Sequence, residues 1–320
     1  MSEQDQQGHG GLAEDLIGLP EPIKKSFFQA VGSLLEGLVA LPVAKLNQLT
    51  QAINDTTAAR TRTSAAIAKA VADDIVKDPD LVAVAAEVYL PTTMRKVGNR
   101  IKVAQRAAEH LSETADEADA GRTSAPDENW MNNFMRFAED ASSEELQDML
   151  GRLLAGQILR PGAFSLATLR TLNELDQNLA KDFLQAWSRN VGKEIDYSQE
   201  WQRGEGYLRW QRLIEVGLLA PDASHRNLPE FEPDQDGNCL WTPMKAGSVW
   251  LTIAFREACS VSWPHIAFTR AGREIGSLLP CPDYADNQKQ AALRLSKDGV
   301  SWIRLYEHGT EKEVLWMNRA

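Results

Sequence analysis

Catalysis needs titratable or nucleophilic groups gathered in one pocket, and the residues that supply them are sparse here. The five histidines are His9, His110, His225, His265 and His308, scattered without metal-ligand spacing. Each reads as a packing or surface residue. Cys239, Cys259 and Cys281 contain no CxxC pair. An odd, sparse set of this kind fits buried thiols in a reducing cytoplasm better than a disulfide framework or a zinc site. No HExxH, GxSxG or GxxxxGK[ST] occurs. Asp73-Asp74 and Glu144-Glu145 are carboxylate pairs, but neighbouring residues on a helix point apart and make a poor acid/base dyad. The expectation is a protein that is not an enzyme and carries neither metal nor organic cofactor.

Net charge and chain start narrow the setting. The chain has 320 residues and a formal net charge of -11. That balance argues against broad electrostatic binding to nucleic acid or anionic membrane, while leaving room for a local basic strip. The start, MSEQDQQGHGGLAED, is polar and acidic, with no positive region leading into an apolar run. No cleaved signal peptide is expected, and the location expected is cytoplasmic.

The elements that must position any site are mostly helical in the first two thirds. Residues 1–13 read as a disordered tail, and 14–111 as an N-terminal helical region. Pro20 and Pro22 open IKKSFFQAVGSLLEGLVAL and Pro42 closes it, so residues 23–41 form an amphipathic helix. A second long helix is expected from Val43 to about Val76. DLVAVAAEVYL is a short helix ended by Pro91, and a basic helix follows. Residues 112–128 are acidic and Ala-rich and read as a linker. Residues 129–203 read as a bundle of short helices. Asp127 caps the first, Ser142 and Glu145 make a capping box for the next, and Ser165 caps a third.

The pattern changes over 204–320. The helix YLRWQRLIEVG precedes three β-like runs, CLWT, SVWLTIAF and PHIAFT, and Thr269 caps RAGREIGSLL. This order suggests a winged-helix-like α+β domain with β additions, ending in a helix near Asn287–Leu295 and the strands VSWIRLY and EVLWM. The fold class expected for the whole chain is mainly α, with strands confined to about 239–320.

Two surfaces stand out as contact candidates. Phe27, Phe28, Val31, Leu34, Leu35, Leu38 and Val39 form a broad apolar face. Core burial is the favoured reading, with contact to a membrane or a partner as the alternative. Arg95, Lys96, Arg100, Lys102 and Arg106 put five cations in twelve residues. A solvated helix face is favoured there, with nucleic acid or anionic lipid as the alternative. Arg270 and Arg273 are the only cations on the candidate reading helix of the winged unit, which lacks Asn, Gln and Lys to read bases.

The stretch from Trp130 to Phe183 resembles the bacterial domain-of-unknown-function family numbered 2806. The features that carry it are Trp130 on an aromatic-rich helix, the helix start Ser143-Glu144-Glu145, then Leu154-Ala155-Gly156-Gln157, Pro161-Gly162 and Ser165-Leu166. Gln157 stands where the family has an acid, and Gly151 where a tryptophan or alanine is common. Downstream, LIEVGLL and IAFTRAGREI resemble the ending of that family and look like the abortive-infection alpha family, with its helical-plus-winged layout. The resemblance implies a part in defence against bacteriophage and brings no catalytic residue. Three functions are therefore expected, in order. The first is a non-enzymatic defence protein that senses or binds a protein partner or phage component. The second is an effector whose 23–41 helix perturbs the inner-membrane surface on activation. The third is a winged-helix regulator bound to nucleic acid. A homo-oligomer is compatible with all three.

Overall fold

The computed structural model describes residue 16 and residues 19–35, 79–114, 123–228, 232–256 and 261–318. Within 79–91 it describes the backbone alone. The expected tail 1–13, the expected helix Val43–Val76, and Leu38 and Val39 lie outside the described residues. In chain order the helices are α1 (Glu21–Leu34), α2 (Pro79–Thr114), α3 (Glu128–Asp140), α4 (Glu144–Leu159), α5 (Leu166–Glu174) and α6 (Gln177–Ser188), followed by α7 (Gly204–Glu215), α8 (Arg270–Gly276) and α9 (Tyr284–Arg294). The strands are β1 (Glu194–Asp196), β2 (Leu219–Asn227), β3 (Cys239–Ala246), β4 (Val249–Phe255), β5 (Ser262–Phe268), β6 (Val300–Glu307) and β7 (Thr310–Met317). The chain divides into two compact units, 1–169 and 170–320. The division falls inside the 129–203 stretch that the sequence groups as one bundle.

In the first unit α2 lies along α4 and α3, and α1 packs on α3 and α4. The contact between α2 and α4 is made by small residues. Ala104, Ala107 and Ala108 are fully buried, and a Cβ on Gly151 would run into the Arg106 Cβ and the Ala107 backbone. Gly151 therefore sets how near the two helices approach, and any larger residue must push them apart. Gly156 does the same for the Phe164 ring, which a Cβ there would meet at 2.7 Å. The Phe164 N–H donates to Gln157 Oε1 at 2.9 Å, and its carbonyl accepts from Trp130 Nε1 at 3.0 Å. Gln157 is thus a buried neutral acceptor that closes the turn after α4, work that needs no acid.

Several local expectations need correction. Helix α2 runs through Pro91 instead of ending there. A proline removes one hydrogen bond to the carbonyl four residues back, which a long helix held by its flanking turns survives. The cap of α4 is Ser143, whose hydroxyl accepts from the Leu146 N–H at 3.2 Å, and not Ser142. Cys281 is exposed and Cys239 half-buried, so neither is the buried thiol expected, and Cys259 lies outside the described residues.

The larger correction concerns fold class. The chain is α+β and not mainly α. Among the described residues nine α-helices stand beside seven antiparallel strands in two sheets. One sheet has the order β1-β5-β2, the other β3-β4-β6-β7. Strands are not confined to 239–320, because β1 and β2 both precede Cys239. In the three-stranded sheet β5 contains the expected run PHIAFT, whereas β1 and β2 come from residues read as non-strand, and α7 lies between those two in the chain. Both overlooked strands hide for physical reasons. β1 is three residues long, too short to show a period. β2, LAPDASHRN, is polar, carries Pro221 at a bulge between Leu219 and Ala223, and pairs on one side only. Proline is tolerated in a strand at an edge or bulge.

In the second sheet β4 and β6 occupy the centre. Their inward residues Leu251, Ile253, Ile303 and Leu305 are buried with Ala291, Ala292 and Leu295 of α9 and with Trp263 of β5. One face of the sheet is thereby committed to the core.

Candidate functional site

Side chains alternate across a strand, so the pairing register fixes what the outer face of this sheet presents. The first row across it is Lys245, Trp250, Tyr306 and Glu311, on β3, β4, β6 and β7. The Trp250 and Tyr306 rings are nearly parallel, 7° apart, with centroids at 5.6 Å. The Lys245 ammonium lies 5.7 Å from the Trp250 ring centroid. In the second row the Thr242 and Thr252 hydroxyls are 3.2 Å apart, and Arg304 and Val314 follow. The third row is Leu240, Ala254, Trp302 and Met317. Arg304 lies over the Trp302 ring at 4.3 Å and bonds Glu311 at 2.8 Å. Leu240, Val314 and Met317 are 40%, 41% and 48% exposed.

A solvated sheet face normally alternates apolar-in with polar-out. This one puts three aromatic rings and three large aliphatic side chains on the outward positions. Trp, Tyr, Arg and Met are the residues enriched at the centres of protein interfaces, where rigid rings bury much area at small entropy cost. The charged ends, Lys245 and Glu311, sit at opposite margins of the first row. Rigid rings and aliphatic side chains set side by side in this way suit binding. These runs read as strands in the sequence, but Trp250, Trp302, Arg304 and Tyr306 did not stand out there as contact residues. The available signal was the presence of Trp250, Trp302 and Tyr306 at positions that alternate with the core residues of their strands.

The residues singled out from sequence lie elsewhere. Phe27, Val31, Leu34 and Leu35 are buried in the first unit, while Phe28 is 41% exposed. To enter a bilayer this helix would have to give up its packing on α3 and α4. Among the described residues no helix is long and apolar enough to cross a membrane. On α2, Lys96 bonds Glu139 at 2.9 Å, and Arg100 bonds the same carboxylate and the Leu34 carbonyl. Hydrogen bonding to Glu139 raises the Lys96 pKa. Burial pushes the Glu139 carboxyl up, but the hydrogen bonds from Lys96 and Arg100 outweigh it and hold it below the usual range. Arg106 bonds Glu109 at 2.9 Å, and Arg95 and Lys102 are exposed. The basic helix is thus largely neutralised by its own unit.

On α8, Arg270 bonds Glu274 at 2.6 Å and Arg273 donates to the Phe268 carbonyl at 2.7 Å. Helix α7 is no better equipped to read DNA. Arg209 and Arg212 both bond Asp182, at 3.2 and 2.7 Å, and the exposed positions include Tyr207 and Leu208. The histidines stay dispersed. His110 lies between Asp148 at 2.8 Å and Glu113 at 3.3 Å, His265 stacks on Trp263, and His225 is exposed. Among the described residues no three His, Cys, Asp or Glu side chains converge to hold a metal ion.

Residues 93–203 match the family described as "Protein of unknown function (DUF2806)". The matched span runs from the second half of α2 through β1 and leaves the outer sheet face outside it. No curated protein and no solved structure matches the chain.

Proposed function

We propose that this chain is a non-enzymatic binding protein of bacteriophage defence, and that it meets a protein partner through the outer face of the β3-β4-β6-β7 sheet. The observation that carries this reading is the outward placement of Trp250, Trp302 and Tyr306 beside exposed Leu240, Val314 and Met317. Burying such side chains against a partner is worth roughly 1.5–3 kcal/mol each before the costs of association. A nucleic-acid partner is less well served. Neutralising a phosphate chain takes several cations, and this face offers Lys245 and an Arg304 already bonded to Glu311. The defence setting rests on the resemblance read in the sequence between LIEVGLL and IAFTRAGREI and the abortive-infection alpha family.

The test is a plaque assay on cells carrying the gene, with wild type compared against Leu240→Glu combined with Met317→Glu. Both positions are exposed, so the variant is expected to fold, which circular dichroism checks. Protection that falls to the empty-vector level in the folded variant is the expected result. Full protection by that variant removes the sheet face from the function. Unaltered plating of a diverse phage panel by wild type removes the defence setting.

A further inference from the structure

We propose, on the reading of the β3-β4-β6-β7 outer face as a docking surface, that its occupant is a second copy of this chain, joined through a two-fold contact of like faces. The pattern on the face is its own complement. A two-fold axis lying between two packed sheets and running along the strands keeps each row over the same row and reverses its order. In the first row, Lys245, Trp250, Tyr306 and Glu311 then lie over Glu311, Tyr306, Trp250 and Lys245 of the partner subunit. Opposite charges meet at both margins and rings meet rings at the centre. In the third row the exposed Leu240 and Met317, on the two outer strands, meet each other in the same way. Sheets packed face to face keep their strand directions within about 30° and stand about 10 Å apart, a gap that a lysine and a glutamate bridge end to end.

The two marginal charges are available for this. Lys245 is exposed, lies near the Trp250 ring and bonds no carboxylate among the described residues. Glu311 accepts from Arg304 through Oε2, which leaves its other oxygen to accept from an ammonium. The other simple axis, running across the strands along the middle row, is disfavoured. It would set Lys245 over the partner's Leu240 and Glu311 over the partner's Met317, burying both charges against apolar groups. An unrelated protein would have to present the reversed order by coincidence of sequence, whereas a second copy presents it by symmetry.

Size sets the strength. Three rows across four strands bring about twelve residues a side, short of the roughly 20–30 a side of a standard interface. The dimer is therefore weak, with a dissociation constant of about 1–100 μM, and forms as the chain accumulates.

Sedimentation velocity of the full chain from about 1 to about 300 μM is the test, with a monomer–dimer equilibrium as the expected result. Lys245→Glu and Glu311→Lys should each weaken the dimer at least about tenfold, because each sets like charges face to face twice over. Both positions are exposed, and circular dichroism checks folding. An equimolar mixture of these two variants should recover a dimer of about wild-type strength, since every marginal pair in the mixed dimer is again of opposite charge, a result that misfolding cannot produce. Leu240→Glu combined with Met317→Glu should stay monomeric across the range. A monomeric wild type overturns the proposal. So do single variants that associate as wild type, a mixture no stronger than its components, or a dimer unchanged in the Leu240→Glu, Met317→Glu variant. The plaque assay separates this outcome from that of the docking surface itself. A monomeric wild type whose protection is lost in the Leu240→Glu, Met317→Glu variant overturns the second copy and leaves the face to another protein. A dimer that dissociates in that variant while protection stands keeps the second copy and removes the face from defence.

Discussion

At the residue scale, the ion pairs of this protein carry structure and consume the charges that might otherwise read as sites. Asp182 is the clearest case. Burial pushes its carboxyl up, yet hydrogen bonds from Arg212 and Arg209 outweigh that and hold it below the usual range. A carboxyl lowered on folding contributes stability that is fully present above its unfolded pKa, near 4, and is lost as pH falls through the folded value. The chain should therefore lose stability steeply below about pH 4. Asp182→Asn should cost about 1–2 kcal/mol at neutral pH, a figure discounted because Arg212 is more than a third exposed. It should also flatten the acid limb, because the variant has no charge left to lose there. Urea denaturation at pH 7 and pH 3 measures both effects. An unchanged acid limb would show that the Asp182 bonds add nothing net.

At the element scale, two glycines on helices of the first unit make opposite demands. Gly98 on α2 has nothing within 4 Å of an added Cβ, whereas Gly151 on α4 faces the backbone of α2. Gly98→Ala should stabilise by up to about 1 kcal/mol through helix propensity alone. Gly151→Ala should destabilise by about 1–3 kcal/mol, because the helices must separate to admit a methyl group. Thermal denaturation of the pair distinguishes propensity from packing, and a stabilising Gly151→Ala would mean that α2 and α4 do not touch there. Helix boundaries were legible in sequence where a side chain marks them. Asp127, Ser165 and Thr269 each accept from a backbone N–H of the helix that follows. Ser142 and Ser143 offer the same hydroxyl, and the chain direction into α4 chose between them.

At the scale of the whole molecule, the net charge of -11 and the internal pairing of Lys96, Arg100, Arg209 and Arg212 bear on nucleic acid. Duplex DNA binding requires several free cations that release condensed counterions. The chain should give no mobility shift with duplex DNA at micromolar concentration and physiological salt. A shift that weakens steeply with added salt would contradict this and return attention to Arg95 and Lys102. Burial, more than composition, separates the two contact surfaces. The Phe27–Leu35 face is apolar and covered, while the Trp250–Tyr306 face is apolar and turned outward, and the sequence alone holds no term that tells them apart.

Local chemistry determined much of this protein without help. Helical periodicity and caps located α3 through α6, α8 and the start of α1, which ends at Leu34 and not at residue 41, because a helix satisfies its backbone within one segment and shows its period there. The hairpin β6–β7 was legible for the same reason, its partners being adjacent in sequence. Tertiary structure decided what depends on distant partners. β1 and β2 are strands because β5, more than thirty residues away in sequence, supplies their hydrogen bonds. The small residue at position 151 is required by a backbone on another helix. The outer face of the second sheet exists only once β3, β4, β6 and β7 are in register, since a one-residue slip would send Trp250, Trp302 and Tyr306 into the core. The Arg294–Asp196 bond joins residues 98 positions apart, and no local pattern could have announced it.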